Sequence, residues 1–411
     1  MACHFQISDK EQMADQDLRI TVSHLPIFTE IRLVLELEDY YCINAPMTLD
    51  SKVKWRSSAV FLTDSKGQID LSKTPALKGS YTGINAMGLF ETAQPERKRK
   101  RKSQTPVFKD LSLNDRFYCK ITAFKDNTAI GCCSFQRYYL PKTLRFKNIY
   151  LNKAKARLFY GKEWRNRPAI IVLSGSEGGL EKAQNIAQLL ASRGFVTMSL
   201  AYFGLDGLPA DLCRIPLESI EEALAFLKSS SLVDSQRIGI YGRSKGAELA
   251  LLAASYFQEI KAIVANAPTD CVYEGLKGKW NAGCSSWTYR EKEIPYTKFQ
   301  LLNFAAERFF HKKLLKKNTA SLFSMADISA PCLFIAALED EIWDAYGAVT
   351  NIMKQLKDNT KHDFLITPHL GHMNTVSYQP NWRYRKWPLS VIQSETRRSW
   401  QATVEHFQHF L

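Results

Sequence analysis

The sequence predicts a two-part chain: an all-β, immunoglobulin-like sandwich, then a mostly parallel sheet with helices on both faces. Three observations carry this. The chain has 411 residues, and single cores stop growing at about 250–300 residues, so two domains are expected. Residues 18 to 140 read as short, alternating, β-branched and aromatic segments broken by turn signals. From about residue 160, apolar strands alternate with helix-like stretches.

In order along the chain, residues 1–16 lack the apolar core of a signal peptide, and Asp9, Glu11 and Asp15 argue against a mitochondrial presequence. They are expected to be disordered. Residues 17–145 form the sandwich, with strands expected in "LRITVSHLPIF", "EIRLVLELEDYYCI", "KVKWRSSAVFLTD", "FYCKITAF" and "AIGCCSFQRYYL". Residues 146–411 form the α/β domain. There "PAIIVLSG", "FVTMSLAYF", "RIGIYG", "IKAIVANAP", "APCLFIAAL" and "HDFLITP" are strands, and helices fall between several of them. "SETRRSWQATVEHFQHFL" is an amphipathic final helix. Residues 269–328 break the alternation; their aromatic content predicts an ordered insertion near a pocket.

Composition narrows the class. Hydrophobic residues are 45% and charged residues 23%, as in soluble globular proteins. No apolar run is long enough for stable membrane insertion. Nine cysteines are scattered without C-x-x-C, which points to a reducing compartment and thiols. A cytoplasmic location is expected, with peroxisome and mitochondrion left open. A net charge of +14 attracts anions in general. The basic run Arg97–Lys102 has no interleaved aromatic residue on which bases could stack, so a solvated loop is expected and no nucleic acid.

The chemistry centres on "IYGRSKGAELA". Gly242-Arg243-Ser244-Lys245-Gly246 follows a strand and precedes a helix, the setting of a nucleophile elbow. Bulky residues would clash at such a turn, and glycines at 242 and 246 relieve it. A serine hydroxyl needs an adjacent base. In α/β-hydrolases the partners follow in the order serine, acid, histidine, after later strands. "LEDEIWD" supplies Asp340 as the acid, with Glu339, Glu341 and Asp344 as alternatives. "TPHLGHM" supplies His372 as the base, with His369 as the alternative. An oxyanion hole would use the backbone N–H of Lys245 and one from Ser176 or Glu177, in the glycine-rich "LSGSEGGL".

With these residues in view, the chain resembles the acyl-CoA thioesterase / bile acid-CoA:amino acid N-acyltransferase family. "KTPALKGSYTGINAMGLFETAQPE" is similar to its N-terminal signature, and "GLEKAQNIAQLLASRGFVTMSLAYFGLDGLP" to its first hydrolase helix and strand. "GIYGRSKGAELALLAASYF", "YREKEIPY", "LEDEIWD" and "TPHLGHM" are similar to its nucleophile, insertion, acid and histidine segments. The resemblance implies a β-sandwich on an α/β-hydrolase domain, with Ser244, Asp340 and His372 as triad. It implies fatty acyl-CoA thioester hydrolysis, or acyl transfer to an amino acid. The transferase branch characteristically carries cysteine at the nucleophile, so Ser244 favours hydrolysis. Arg243 stands where a small or aliphatic residue is usual, Glu177 where glycine is usual, and Ala337 and Glu339 in place of a glycine and an acid.

The expected partner is acyl-CoA, as substrate; no metal or redox cofactor is needed. A monomer or small homo-oligomer is expected. A carboxylesterase, or a non-catalytic acyl-CoA-binding relative, are further readings of the same residues. Acyl chain length is not legible, because the pocket depends on how residues 269–328 fold.

Overall fold

The computed structural model describes residues 3–8, 12–45, 53–97, 105–278, 280–300, 316–356, 361–381 and 387–411. The chain forms two compact units. One comprises Met1–Ser103, Leu113–Pro141 and Met373–Trp400; the other comprises Gln104–Ser112, Lys142–His372 and Gln401–Leu411. Most of the basic run, residues 98–102, lies outside the described residues.

The first unit is antiparallel β. Its larger sheet runs Ala76–Gly79, Trp55–Leu62, Glu30–Glu38, Arg116–Lys125, Thr128–Tyr138, with Gln94–Pro95 paired to Trp55–Leu62. Trp55–Leu62 buries every second side chain, as the period-two pattern requires of a strand with one face on a core. The smaller sheet contains His4–Ile7, Ile20–Ser23 and Ile69–Asp70. The expected disorder of residues 1–16 is therefore corrected. His4–Ile7 pairs antiparallel with Ile20–Ser23 and buries Phe5 and Ile7. The Asp15 carboxylate accepts a hydrogen bond from Trp400 Nε1 at 2.8 Å.

A single division at 145/146 does not describe the chain either. Residues 373–400 belong with the first unit, and hydrogen bonds tie Val376 and Gln379 to its segment at Ile43 and Asn44. Asn44 Nδ2 donates to the Val376 carbonyl (2.9 Å), and the Val376 N–H donates to Asn44 Oδ1 (3.1 Å). The Ile43 N–H donates to Gln379 Oε1 (2.7 Å). In the same unit Glu91 is buried on a one-turn helix, Gly88–Glu91. Burial pushes its carboxyl up to about 7, against the pull of Asn85 and Arg397.

The second unit holds an eight-stranded sheet: β1 (Leu144–Tyr150), β2 (Lys155–Gly161), β3 (Arg167–Leu173), β4 (Val196–Ala201), β5 (Val233–Arg243), β6 (Ile260–Asn266), β7 (Cys332–Ala337) and β8 (Asp363–Thr367). The spatial order is β1-β2-β4-β3-β5-β6-β7-β8. The β1–β2 and β2–β4 pairings are antiparallel and the rest parallel. β4 and β7 are buried at every position, as continuous apolar strands of a covered parallel sheet must be. The helices α1 (Glu181–Ala191), α2 (Glu218–Lys228), α3 (Lys245–Tyr256) and α4 (Ala345–Gln355) connect parallel strands, which a short turn cannot join. Because β3, β5, β7 and β8 are parallel, the loops after them share one edge of the sheet. This is the α/β-hydrolase arrangement.

The insertion is built of short pieces. Glu274–Lys277 pairs with Trp280–Ser285, and Trp287–Tyr289 pairs with Ile215–Pro216 and Lys292–Glu293. Residues 279 and 301–315 of the insertion lie outside the described residues. The cysteine expectation needs one correction. The parallel pairing of Ile215–Pro216 with Trp287–Tyr289 brings Cys213 and Cys284 to a Cα separation of 6.4 Å, and they form a disulfide. The other seven cysteines are outside any disulfide. Among the described residues no helix is long and apolar enough to cross a membrane.

Candidate active site

β5 ends at Arg243 and α3 begins at Lys245, so Ser244 alone makes the turn. Its backbone sits at φ 59° and ψ −126°, a region side chains other than glycine rarely adopt and one that stores strain. Two close approaches make the turn possible. A β-carbon on Gly242 would lie 2.0 Å from the Gly246 carbonyl oxygen, and one on Gly246 would lie 2.4 Å from that of Ser174. The Ser244 N–H donates to the Asn266 carbonyl at the end of β6 (2.9 Å), which ties the turn to the sheet.

The Ser244 hydroxyl donates to His372 Nε2 at 2.8 Å. His372 Nδ1 lies 3.0 and 2.9 Å from the two Asp340 carboxylate oxygens. An ionised carboxylate only accepts, so the ring proton is on Nδ1 and the Nε2 lone pair faces the serine. Asp340 Oδ1 also accepts from the Ile342 and Trp343 N–H groups (2.9 and 3.1 Å), which fixes the carboxylate before it meets the imidazole. Ser244, Asp340 and His372 are 6%, 6% and 4% exposed, so water competes little for these bonds. The Trp343 ring stands edge-on to the imidazole, with centroids 5.3 Å apart.

Among the alternatives, Asp344 caps α4, accepting from the Gly347 N–H at 2.7 Å. Glu341 accepts the His372 backbone N–H at 3.0 Å, so it holds the histidine loop rather than the ring. Glu339 and His369 are half-buried outside the relay. The roles of Glu341, Trp343 and Asn266 were missed from sequence; only the acid-rich "LEDEIWD" hinted that more than one carboxylate serves there.

Lys245, whose N–H is an expected oxyanion donor, opens α3, where the first N–H groups lack helical partners. Its side chain is buried. Nζ donates to Glu248 Oε1 (2.7 Å) and to the Tyr273 carbonyl (3.1 Å), and Trp287 Nε1 donates to the same Glu248 oxygen (2.7 Å). Burial pushes the lysine down and the glutamic acid up, each opposed by the other's charge. The insertion is thus pinned to the nucleophile helix through Tyr273 and Trp287.

Ser176 and Glu177 lie in the turn after β3, closed by the Gly178 N–H donating to the Gly175 carbonyl (3.2 Å). The loop passes the nucleophile at Gly175, where a β-carbon would be 3.3 Å from the Ser244 β-carbon. The Glu177 carboxylate pairs with Arg243 at 2.6 Å. Burial alone would raise its pKa. Arg243, Lys182 and the Glu177 and Gly175 N–H groups instead hold it at about 2. The two unusual residues beside the nucleophile are bonded to each other, a pairing the sequence reading did not anticipate; their opposite charge was its only signal.

A family model described as "Acyl-CoA thioester hydrolase/BAAT N-terminal region" matches residues 15–150, and one described as "BAAT / Acyl-CoA thioester hydrolase C terminal" matches residues 215–390. The chain belongs to the acyl-CoA thioester hydrolase/BAAT family. Within this family, human acyl-coenzyme A thioesterase 1 is 32% identical over 355 residues, covering 82% of this chain and 80% of that one. Mouse acyl-coenzyme A thioesterase 6 is 29% identical over 354 residues, with the same coverage. Mouse acyl-coenzyme A amino acid N-acyltransferase 2 is 29% identical over 334 residues, covering 79% and 78%. A solved esterase from Pyrobaculum calidifontis superposes with a TM-score of 0.42 at 16% identity, over 64% of this chain and 85% of that one. The C-terminal family match contains Ser244, Asp340 and His372, whereas the loop carrying Glu177 falls between the two matches.

Proposed function

We propose that the protein hydrolyses acyl-CoA thioesters through an acyl-serine intermediate, with Ser244 as nucleophile, His372 as base and Asp340 as acid. The observation that carries this reading is the 2.8 Å bond from Ser244 Oγ to His372 Nε2 at a strained turn. His372 takes the hydroxyl proton as the serine oxygen bonds to the thioester carbonyl carbon. The negative charge on the carbonyl oxygen is met by the Lys245 N–H and by the loop after β3. The carbon–sulfur bond breaks, and the coenzyme A thiolate takes the proton from the imidazolium. Water, deprotonated by the same imidazole, then releases the fatty acid. Asp340 holds the tautomer throughout.

Release of free coenzyme A from short, medium, long and bile-acyl thioesters tests this. Ser244→Ala is expected to lose about three to six orders of magnitude in kcat while remaining folded. Full activity in that variant on every substrate would overturn the reading. A second reading replaces water by an amino acid, and the N-acyltransferase relative favours it. Adding glycine or taurine to the same assay separates the two, because only the transferase yields an amide.

A further inference from the structure

Resting on the hydrolase reading above, we propose that Glu177 is a latch on the oxyanion loop: its carboxylate lies where the developing oxyanion needs donors, and Arg243 holds it there while offsetting its charge. The geometry places the latch beside the chemistry. The point where a Gly175 β-carbon would stand is 2.8 Å from Glu177 Oε2, 3.1 Å from the Arg243 carbonyl oxygen and 3.3 Å from the Ser244 β-carbon. The other carboxylate oxygen, Oε1, is 2.6 Å from an Arg243 nitrogen. One carboxylate therefore bridges the residue before the nucleophile and the loop across from it.

Two of the loop's N–H groups, those of Gly175 and Glu177, act favourably on that carboxylate and help hold its pKa down. A carboxylate oxygen and a tetrahedral oxyanion make the same demand on an N–H pair. In the resting enzyme Glu177 thus stands in for the transition-state charge. It is anionic at any working pH, so it opposes a second negative charge arriving nearby. Arg243 and Lys182 are the cations that offset it.

The two partners are not equally fixed. The Arg243 side chain is 4% exposed and that of Glu177 is 23% exposed. The carboxylate can swing toward solvent while the guanidinium stays in place, which leaves positive charge beside the oxyanion and frees the loop N–H groups.

The sign of the two single substitutions tests this. The measured quantity is the rate constant for labelling of Ser244 by a fluorophosphonate, whose attack also develops an oxyanion but needs no thioester. Glu177→Gln keeps the shape and removes the charge, and is expected to label about tenfold faster. Glu177→Gly should do the same. Arg243→Met removes the larger of the two charges that offset the carboxylate and should label about tenfold slower, an effect that largely vanishes in the Glu177→Gln background. Slower or unchanged labelling of both Glu177 variants overturns the latch; if the melting temperature falls as well, the pair is a structural brace. No labelling of Ser244 in any variant overturns it too. Faster labelling of Glu177→Gln without coenzyme A release from any acyl-CoA supports the latch and removes the hydrolase reading. Coenzyme A release that depends on Ser244, with the labelling signs wrong, does the reverse.

Discussion

Asp340 accepts N–H groups from His372, Ile342 and Trp343, whereas Glu341 accepts the backbone N–H of His372 and does not hold its ring. The two neighbours are therefore expected to respond differently to loss of charge. Asp340→Asn inverts the hydrogen-bond preference at Nδ1 and should lower kcat about 10⁴-fold, with little change in fold. Glu341→Gln retains an acceptor for the backbone N–H and should cost less than about tenfold. Steady-state kinetics on one acyl-CoA compares them directly. At this scale residue type and chain order suffice to pick out Ser244 and His372, which the fold brings within hydrogen-bond reach of each other. The choice among Glu339, Asp340, Glu341 and Asp344 needs the exit path of the chain from β7, which spacing does not encode. Nor could the Glu177–Arg243 bond be read, because 66 positions separate the two.

Elements with strong internal patterns were read well, and those that depend on a distant partner were not. β4 and β7 are uniform apolar runs and identify themselves. β1 (LRFKNIY) alternates weakly and exposes Arg145, Phe146 and Lys147, so it carries little period-two signal. His4–Ile7 is only four residues long and becomes a strand because Ile20–Ser23 is available to it. The aromatic insertion was expected to be ordered, but not its anchor on α3. Trp287 buries its whole ring and bonds Glu248. Trp287→Phe keeps an aromatic ring but removes the five-membered part of the indole and its donor to a buried carboxylate, and should destabilise the protein by about 1–3 kcal/mol in urea unfolding.

For the molecule as a whole, Glu91 gives a pH dependence with a definite sign. Its folded pKa, about 7, stands above the ordinary 4.5, so between those values the native state holds a proton that the unfolded chain has released. This contribution is complete at pH below 4.5 and declines as pH rises toward 7. The urea midpoint should fall from pH 5 to pH 8, and Glu91→Gln should flatten that fall. Equal slopes in the two proteins would remove Glu91 as the cause.

The two units do not meet at one point along the chain. Residues 104–112 and 373–400 each belong with the partner of the segment that precedes them. Length and composition call for two cores but cannot reveal such exchanges, because the anchors Asn44 and Gln379 are ordinary polar residues until each finds the other's segment. A gene for this protein consequently has no clean crossover site between its halves. Recombination that trades the catalytic part of one relative for another's must carry Met373–Trp400 with the N-terminal parent, and a library cut once near residue 142 would assemble mismatched interiors.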